Sequence, residues 1–333
     1  MDNVALPLVE PLYATYHNQG SAGAILKANP TVRNWYLNEV MNLCCTRKFL
    51  IGTYSSPQIN VDRSLWNDNP YIDSCVIPMQ VAKECINAII RGFINNGYYV
   101  FFWGIDDYYI EGKTWYKQRH FNHDGLIYGY NQKEKTYSMY AYDQKWVYRT
   151  FEISQNSFNV GRKSMQHREV EGGLCGIKVK PDLIELSPGR VLCCMKEYLK
   201  SSMSDYPTTE QGYVFGTVVH DYLVIYVDML ANGTIDYKHT DRRVFRLLWE
   251  HKKIMLERIR EVEKFLGMSD VVSLQYESVV RKANTVRMLY ASHCLKRRDE
   301  SLPIISKMIA ELKAEETYLL NCLVNKMEGV LES

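Results

Sequence analysis

Residues 119–145 read RHFNHDGLIYGYNQKEKTYSMYAYDQK, two aromatic-rich runs on either side of the polar segment NQKEK. Aromatic residues favour a pleated, half-buried surface, and a short polar break between two such runs predicts an antiparallel hairpin. With the turn centred on Lys133, His123 and Asp143 stand ten residues to either side and face each other across the open end. Directly opposed residues on one face have Cβ atoms roughly 4.5–5.5 Å apart. A carboxylate at that distance fixes an imidazole's tautomer and stabilises its protonated form, the orienting role of an acid in a Cys-His-Asp relay. The same spacing also suits two polar strand ends with no chemistry. His120 and Asp124 are local rivals, and a bulge would change the register.

Outward from the hairpin, YYVFFW (98–103) is continuously apolar, as a buried strand requires, and Gly104 is expected to end it. GIDDYYIEGKTWYKQ then reads as loop. Residues 79–94 have apolar positions at helical spacing and NNG as a stop. Residues 32–45 read as a helix, and 55–78, rich in Pro, Asn, Asp and Ser, as loop. Past residue 150 the pattern turns irregular or strand-like, through HREVEGGLCGIKVK. From Ser187–Pro188, a helix start, it becomes helical. Segments 211–231, 241–266, 271–298 and 302–331 predict helices. The fold class expected is therefore α+β, with an antiparallel sheet followed by a mainly helical C-terminal region. The expected division is a first domain over 1–155 and a helical one over 156–333.

Apolar residues are 46% of the 333, charged residues 23%, and the net charge is +2, which singles out no nucleic-acid partner. No apolar run reaches the roughly 18–20 residues that span a bilayer. The start MDNVALPLVEPLY lacks the basic and apolar regions of a signal peptide, so no membrane association and a cytoplasmic location are expected. Nine cysteines include the adjacent pairs 44–45 and 193–194 but no CxxC and no zinc-type spacing, so no metal is expected and the thiols read as reduced. No phosphate-binding glycine loop is present. Twenty-five tyrosines fit strand surfaces; an aromatic-lined pocket is the alternative.

The segment HFNHDGLIYGYNQ…YSMYAYD resembles the His-strand-hairpin-Asp region of papain-like enzymes of the C39 peptidase and butirosin acyltransferase (H-type, N-terminal domain) group. YYVFFWGIDDYYIEGKTWYKQRHFNHD resembles proteins of nonribosomal peptide and polyketide clusters, closthioamide biosynthesis among them. The resemblance covers roughly residues 10–150. It implies a papain-like core, natural-product (antibiotic) biosynthesis, and transfer of an acyl or peptidyl group from a phosphopantetheinyl carrier-protein thioester to a small amine. Beyond that thioester no cofactor is implied.

The family pattern places Cys at the opening of a helix, a few residues after a Gln that helps hold the oxyanion. HNQGSAGAIL offers Gln19 for the second role, yet no thiol follows; either the nucleophile lies elsewhere, or the site is dead, or a Cys has been replaced at the slots Ala22 or Ala24. Cys44, at a papain-like separation upstream of His123, is the favoured nucleophile, with Cys45 and Cys75 as alternatives. Cys44 is expected to end a helix, where the dipole raises a thiol pKa, while Cys75 precedes one and is electrostatically better placed. The expected site is Cys44, His123 and Asp143. A cysteine hydrolase (peptidase or thioesterase) uses the same residues with water as acceptor, and a non-catalytic binding protein keeps only the shell. Segment 241–300, with 14 Lys and Arg against 9 Asp and Glu, is a candidate dock for an acidic carrier protein, or simply a solvated face.

Overall fold

A computed structural model describes residues 3–11, 13–52, 54–62, 69–165, 173–201 and 212–332, with only the backbone at Thr31 and His239. The strands are β1 (Asn3–Ala5), β2 (Leu43–Thr46), β3 (Asn60–Val61), β4 (Ile72–Pro78), β5 (Tyr99–Asp106), β6 (Asn122–Asn131), β7 (Thr136–Tyr142), β8 (Tyr148–Ser154), β9 (Gly173–Val179) and β10 (Tyr213–Phe215). The helices are α1 (His17–Ala28), α2 (Pro30–Glu39), α3 (Met79–Ala82), α4 (Ile86–Asn95), α5 (Gln155–Met165), α6 (Pro188–Lys200), α7 (Val219–Ala231), α8 (Arg243–Phe265), α9 (Val271–Lys296) and α10 (Leu302–Leu331).

The chain does not divide once near 155. One compact unit comprises 1–33 with 64–183, and the other 34–63 with 184–333. The sequence pattern misses this because the excursion at 34–63 is too short to shift composition.

The first unit is built on a seven-stranded antiparallel sheet in the order β4-β9-β5-β6-β7-β8, with β1 also paired to β6. Its hairpin has the expected register close to the site: Leu126 opposes Tyr140 and Ile127 opposes Met139, equidistant from Lys133. A shift at Ile127/Gly129 then absorbs one residue before the turn. On the other side of β6, Gly125 opposes Phe102 of β5, where a Cβ would lie 2.7 Å from the ring. Ile86, Ile90 and Ile94 recur every fourth residue and bury one face of α4, with Val100, Phe102, Ile127, Met139 and Phe158, in a single core. The strand at 98–103 does not stop at Gly104. Gly104 adopts φ +73° within a register shift between Phe102 and Ile105, and β5 runs on to Asp106. The expected loop over 55–78 also contains β4, paired along its length with β9; residues 63–68 of that loop lie outside the described residues.

The second unit carries a three-stranded sheet, β10-β2-β3, the larger part of α2 (from Asn34 on) and helices α6 to α10. Cys44 and Cys45 do not end a helix. α2 stops at Glu39 and both cysteines sit in β2, opposite Phe215 and Val214. The apolar NLCC run that extends a helical period is equally a buried strand, and pairing decides. The expected helices at 241–266, 271–298 and 302–331 are α8, α9 and α10. Of the one expected over 211–231, residue 211 lies outside the described residues and α7 starts at Val219. Residues 167–172 of the strand-like stretch are likewise outside, and β9 follows.

At the helical unit's centre a polar cluster replaces apolar packing. Glu316 of α10 accepts from Lys252 Nζ at 2.7 and 2.9 Å, from the Tyr198 hydroxyl at 2.9 Å and from the Tyr276 hydroxyl. His220 Nε2 stands 3.4 Å from the same carboxylate. All five side chains are fully buried. Burial alone would raise the Glu316 pKa, but Lys252 and the two neighbouring histidines hold it down at about 2. Among the described residues no helix is long and apolar enough to cross a membrane.

Candidate functional site

The strand that carries His123 lies beside β5, and the bulge at Gly104 decides which acid meets it. Past the bulge Ile105 opposes His123 and Asp106 opposes Asn122, and the chain then turns into a short 3-10 helix at Asp107–Tyr109. That turn brings Asp107 to His123: its Oδ2 and His123 Nδ1 form a short hydrogen bond. The bond assigns the ring proton to Nδ1 and leaves a lone pair on Nε2, the arrangement of a general base. Lys113 Nζ lies 3.6 Å from the other Asp107 oxygen and donates to the Tyr142 carbonyl at 2.8 Å. Asp107 is fully buried, while His123 is partly exposed, with 13% of its side chain accessible.

The neighbouring acid has a separate task. Asp106 accepts from Ser164 Oγ at 2.7 Å, from the backbone N–H groups of Tyr108 and Phe121, and meets His120 Nδ1 at 2.7 Å. Burial works against its charge, but these hydrogen bonds outweigh it and keep the carboxyl below its ordinary pKa. Asp106 thereby fastens both ends of the 107–120 loop. Asp124 Oδ1 accepts from the Gly104 N–H at 3.0 Å and so fixes the bulge; burial raises its pKa.

Asp143 is not the partner of His123. The hairpin ladder ends at Tyr142, and Asp143 turns away as the cap of a tight turn. Its Oδ1 accepts from the N–H groups of Lys145 at 2.8 Å and Val147 at 2.9 Å, and its Oδ2 pairs with Arg149 at 2.6 Å. Asp followed by a short polar segment is itself a turn signal, and that local use wins over the cross-strand one.

The helix opening against His123 is α1, and its first residue is His17. The two imidazoles meet edge to face with centroids 5.2 Å apart, and the Tyr142 ring lies 5.0 Å from His17. Burial first, then the charges of Lys113 and His123, push the His17 pKa well below its ordinary value, so it is neutral. Its buried Nε2 has no hydrogen-bond partner among the described residues. Tyr148 holds the helix in place, sharing a hydrogen bond with Ser21 Oγ at 2.7 Å and donating to the His17 carbonyl at 3.1 Å. Gln19 is buried in the first turn of α1. Ala22 and Ala24 are wholly buried farther along the helix, as core residues.

The cysteine candidates lie elsewhere. Cys44 and Cys45 are buried in β2 of the other unit. Burial, then Asp62 and Cys45, push the Cys44 thiol far up, and burial pushes Cys45 up to about 12, so both are protonated near neutral pH. Cys75 is exposed on the edge strand β4, opposite Gly176 and three strands from His123. Sequence reasoning missed Asp107 and His17. A signal for the first exists, Gly two residues ahead of Asp-Asp after a buried strand, where the glycine allows a bulge. Among the described residues no group of three His, Cys, Asp or Glu is placed to hold a metal. No protein-family model matches the chain, and no curated protein does.

Proposed function

We propose that the first unit is a papain-like shell that transfers an acyl group from a carrier-bound thioester to an amine by direct attack, with His123 as general base and Asp107 as its orienting acid. The observation that carries this reading is the hydrogen-bonded pair of His123 with the buried Asp107, facing the opening of α1. The opening of that helix is where a papain-like enzyme holds its thiol, and here it carries a neutral imidazole. The amine nitrogen attacks the thioester carbonyl as His123 Nε2 takes its proton. The C–S bond of the tetrahedral adduct then breaks, and the proton passes to the leaving sulfur, giving amide and thiol. No acyl-cysteine forms. General-base catalysis of this kind contributes typically 10²–10⁴-fold. Natural-product assembly, with a phosphopantetheinyl carrier protein as donor, is the setting in which such a donor occurs.

The test is turnover of acyl-pantetheine thioesters with a panel of small amines, together with intact mass of the protein. Amide formation lost in His123→Ala, with no acyl adduct on the wild type, supports the reading. An adduct that maps to a cysteine would sink it. Thioester left intact by the wild type favours a second reading, a non-catalytic binding protein, for which the helix opening against the His–Asp pair speaks, since it carries His17 and not a thiol. Acid product in place of amide makes the protein a hydrolase.

A further inference from the structure

A groove of about 710 Å³ opens on the first unit between the start of α4 and one face of α5. Lys83, Arg91, Arg162 and Lys163 line it, against one acid, Glu84. Its volume falls within the ordinary range of small-molecule sites, roughly 300–1,000 Å³. The residue ahead of α4, Cys85, gives no side-chain cap, so the first N–H groups of this ten-residue helix are left for another acceptor.

A second observation is independent of the helix end. Arg162 is only 4% exposed. Its Nη1 donates to the carbonyls of Trp103 and Gly104, yet its Nε has no partner among the described residues. A buried guanidinium with an unused donor is costly unless something accepts from it. Asn159 Oδ1, also on the groove wall, is a buried acceptor without a partner among the described residues, which suits a donor elsewhere on a ligand and not an anion. Three further cations are more than one carboxylate ligand needs and suit a group with more than one negative charge. No aromatic side chain lines the groove, so nothing offers a nucleobase a stacking face; Met79, Ile86 and Ala88 offer an aliphatic surface instead.

We propose that this groove binds the phosphate monoester of an aliphatic molecule, with Lys83, Arg91 and Lys163 around the phosphate, the start of α4 and Arg162 donating to it, and the aliphatic arm on Met79 and Ile86. The site does not depend on acyl transfer, because its readout is binding. Its tie to the rest of the unit is α5, which carries Arg162 to the β5 bulge and Ser164 to Asp106.

The experiment is isothermal titration of the full chain with 4′-phosphopantetheine, pantetheine, AMP and inorganic phosphate, repeated on Lys83→Ala/Lys163→Ala and on His123→Ala. Both lysines are exposed, so their removal leaves the fold intact. The expected result is binding of 4′-phosphopantetheine above pantetheine, weakened about tenfold or more in the double variant, where about 1.4 kcal/mol is tenfold. It weakens with added salt and is unchanged in His123→Ala. Equal binding of phosphate and phosphopantetheine, indifferent to the lysines, means a generally basic surface and overturns the site. AMP binding tighter than phosphopantetheine overturns the aliphatic ligand class, and no binding by any probe overturns the proposal as a whole.

Discussion

The imidazole of His17 stands edge-on to that of His123, centroids 5.2 Å apart and planes at 69°. One ring opens a helix and the other sits on a strand, a juxtaposition that holds a nucleophile and its base in papain-like enzymes. Here both members are imidazoles, and only His123 has a carboxylate behind it. Burial, Lys113 and His123 together disfavour charge on His17, which leaves His123, the ring with a carboxylate behind it, as the proposed base.

Asp107 and Asp143 therefore separate cleanly in mutagenesis. Asp107→Asn keeps the shape but removes the charge that favours the imidazolium. The expected loss in turnover is on the order of 10²–10⁴-fold. Asp143→Asn leaves turnover close to wild type and lowers thermal stability, since Asp143 caps a turn and pairs with Arg149. Steady-state kinetics and thermal melts on the two variants check this. Equal loss of turnover in both would return Asp143 to the site.

Much of the fold was legible for reasons the same residues explain. The hairpin's alternation and polar turn set its register at Leu126–Tyr140, and the long helices follow from apolar spacing. What stayed hidden depends on contacts between distant segments. Asp107 reaches His123 only because Gly104 takes a left-handed conformation inside β5, and a glycine at that position reads as the end of a strand. Cys44 read as a helix end because a buried strand and a buried helical turn share one apolar pattern. His17 stands two residues before Gln19, but a helix opening that lacks the expected thiol gives no sequence signal for an imidazole in its place.

Cys44 is expected to be chemically silent in the folded protein. Its thiol is buried and its pKa is pushed up by burial, Asp62 and Cys45. At pH 7.5 a thiol-specific reagent labels the exposed Cys75, Cys85 and Cys193 first, and Cys44 only on unfolding. Peptide mapping after timed labelling reads the order. Rapid labelling of Cys44, or loss of acyl transfer in Cys44→Ala with folding intact, would restore it as nucleophile.

Gly20 sits where α1 presses on Tyr148. A Cβ there would lie 2.7 Å from the ring, and the ring is held by Ser21 and the His17 carbonyl. Alanine in a helix interior normally gains about 1 kcal/mol over glycine. Here overpacking costs about 1–3 kcal/mol and wins. Gly20→Ala is expected to lower the melting temperature and, by displacing His17, to reduce turnover. Tyr148→Phe in the same background leaves the clash and does not rescue it, whereas Tyr148→Leu relieves it. A melting temperature above wild type for Gly20→Ala alone would show that the helix stands off the ring.

The helical unit is expected to lose stability in acid, with a sign fixed by its buried cluster. His220 is neutral in the folded state; burial, then the nearby Lys252 charge, lower its pKa from 6.5 to about 4. A depressed histidine binds fewer protons folded than unfolded, so its contribution is present above pH 6.5 and drains away as pH falls toward 4. His251 is lowered well below 6.5 by the same two causes and acts in the same direction. Glu316, held at about 2, adds a second loss between pH 4.5 and 2. The His220 part alone is on the order of 3 kcal/mol. Denaturant unfolding followed by helical circular dichroism, from pH 7 to pH 3, is expected to show a falling midpoint across that whole range. His220→Gln, which can still donate to the Thr217 carbonyl that His220 Nδ1 meets at 2.9 Å, flattens the upper part of the curve. Glu316→Gln at pH 7 strands the Lys252 ammonium without a counter-charge and costs about 3–5 kcal/mol. A midpoint that holds constant from pH 7 to pH 4 would mean that the histidines stay accessible to protons without cost, and that the cluster opens to water.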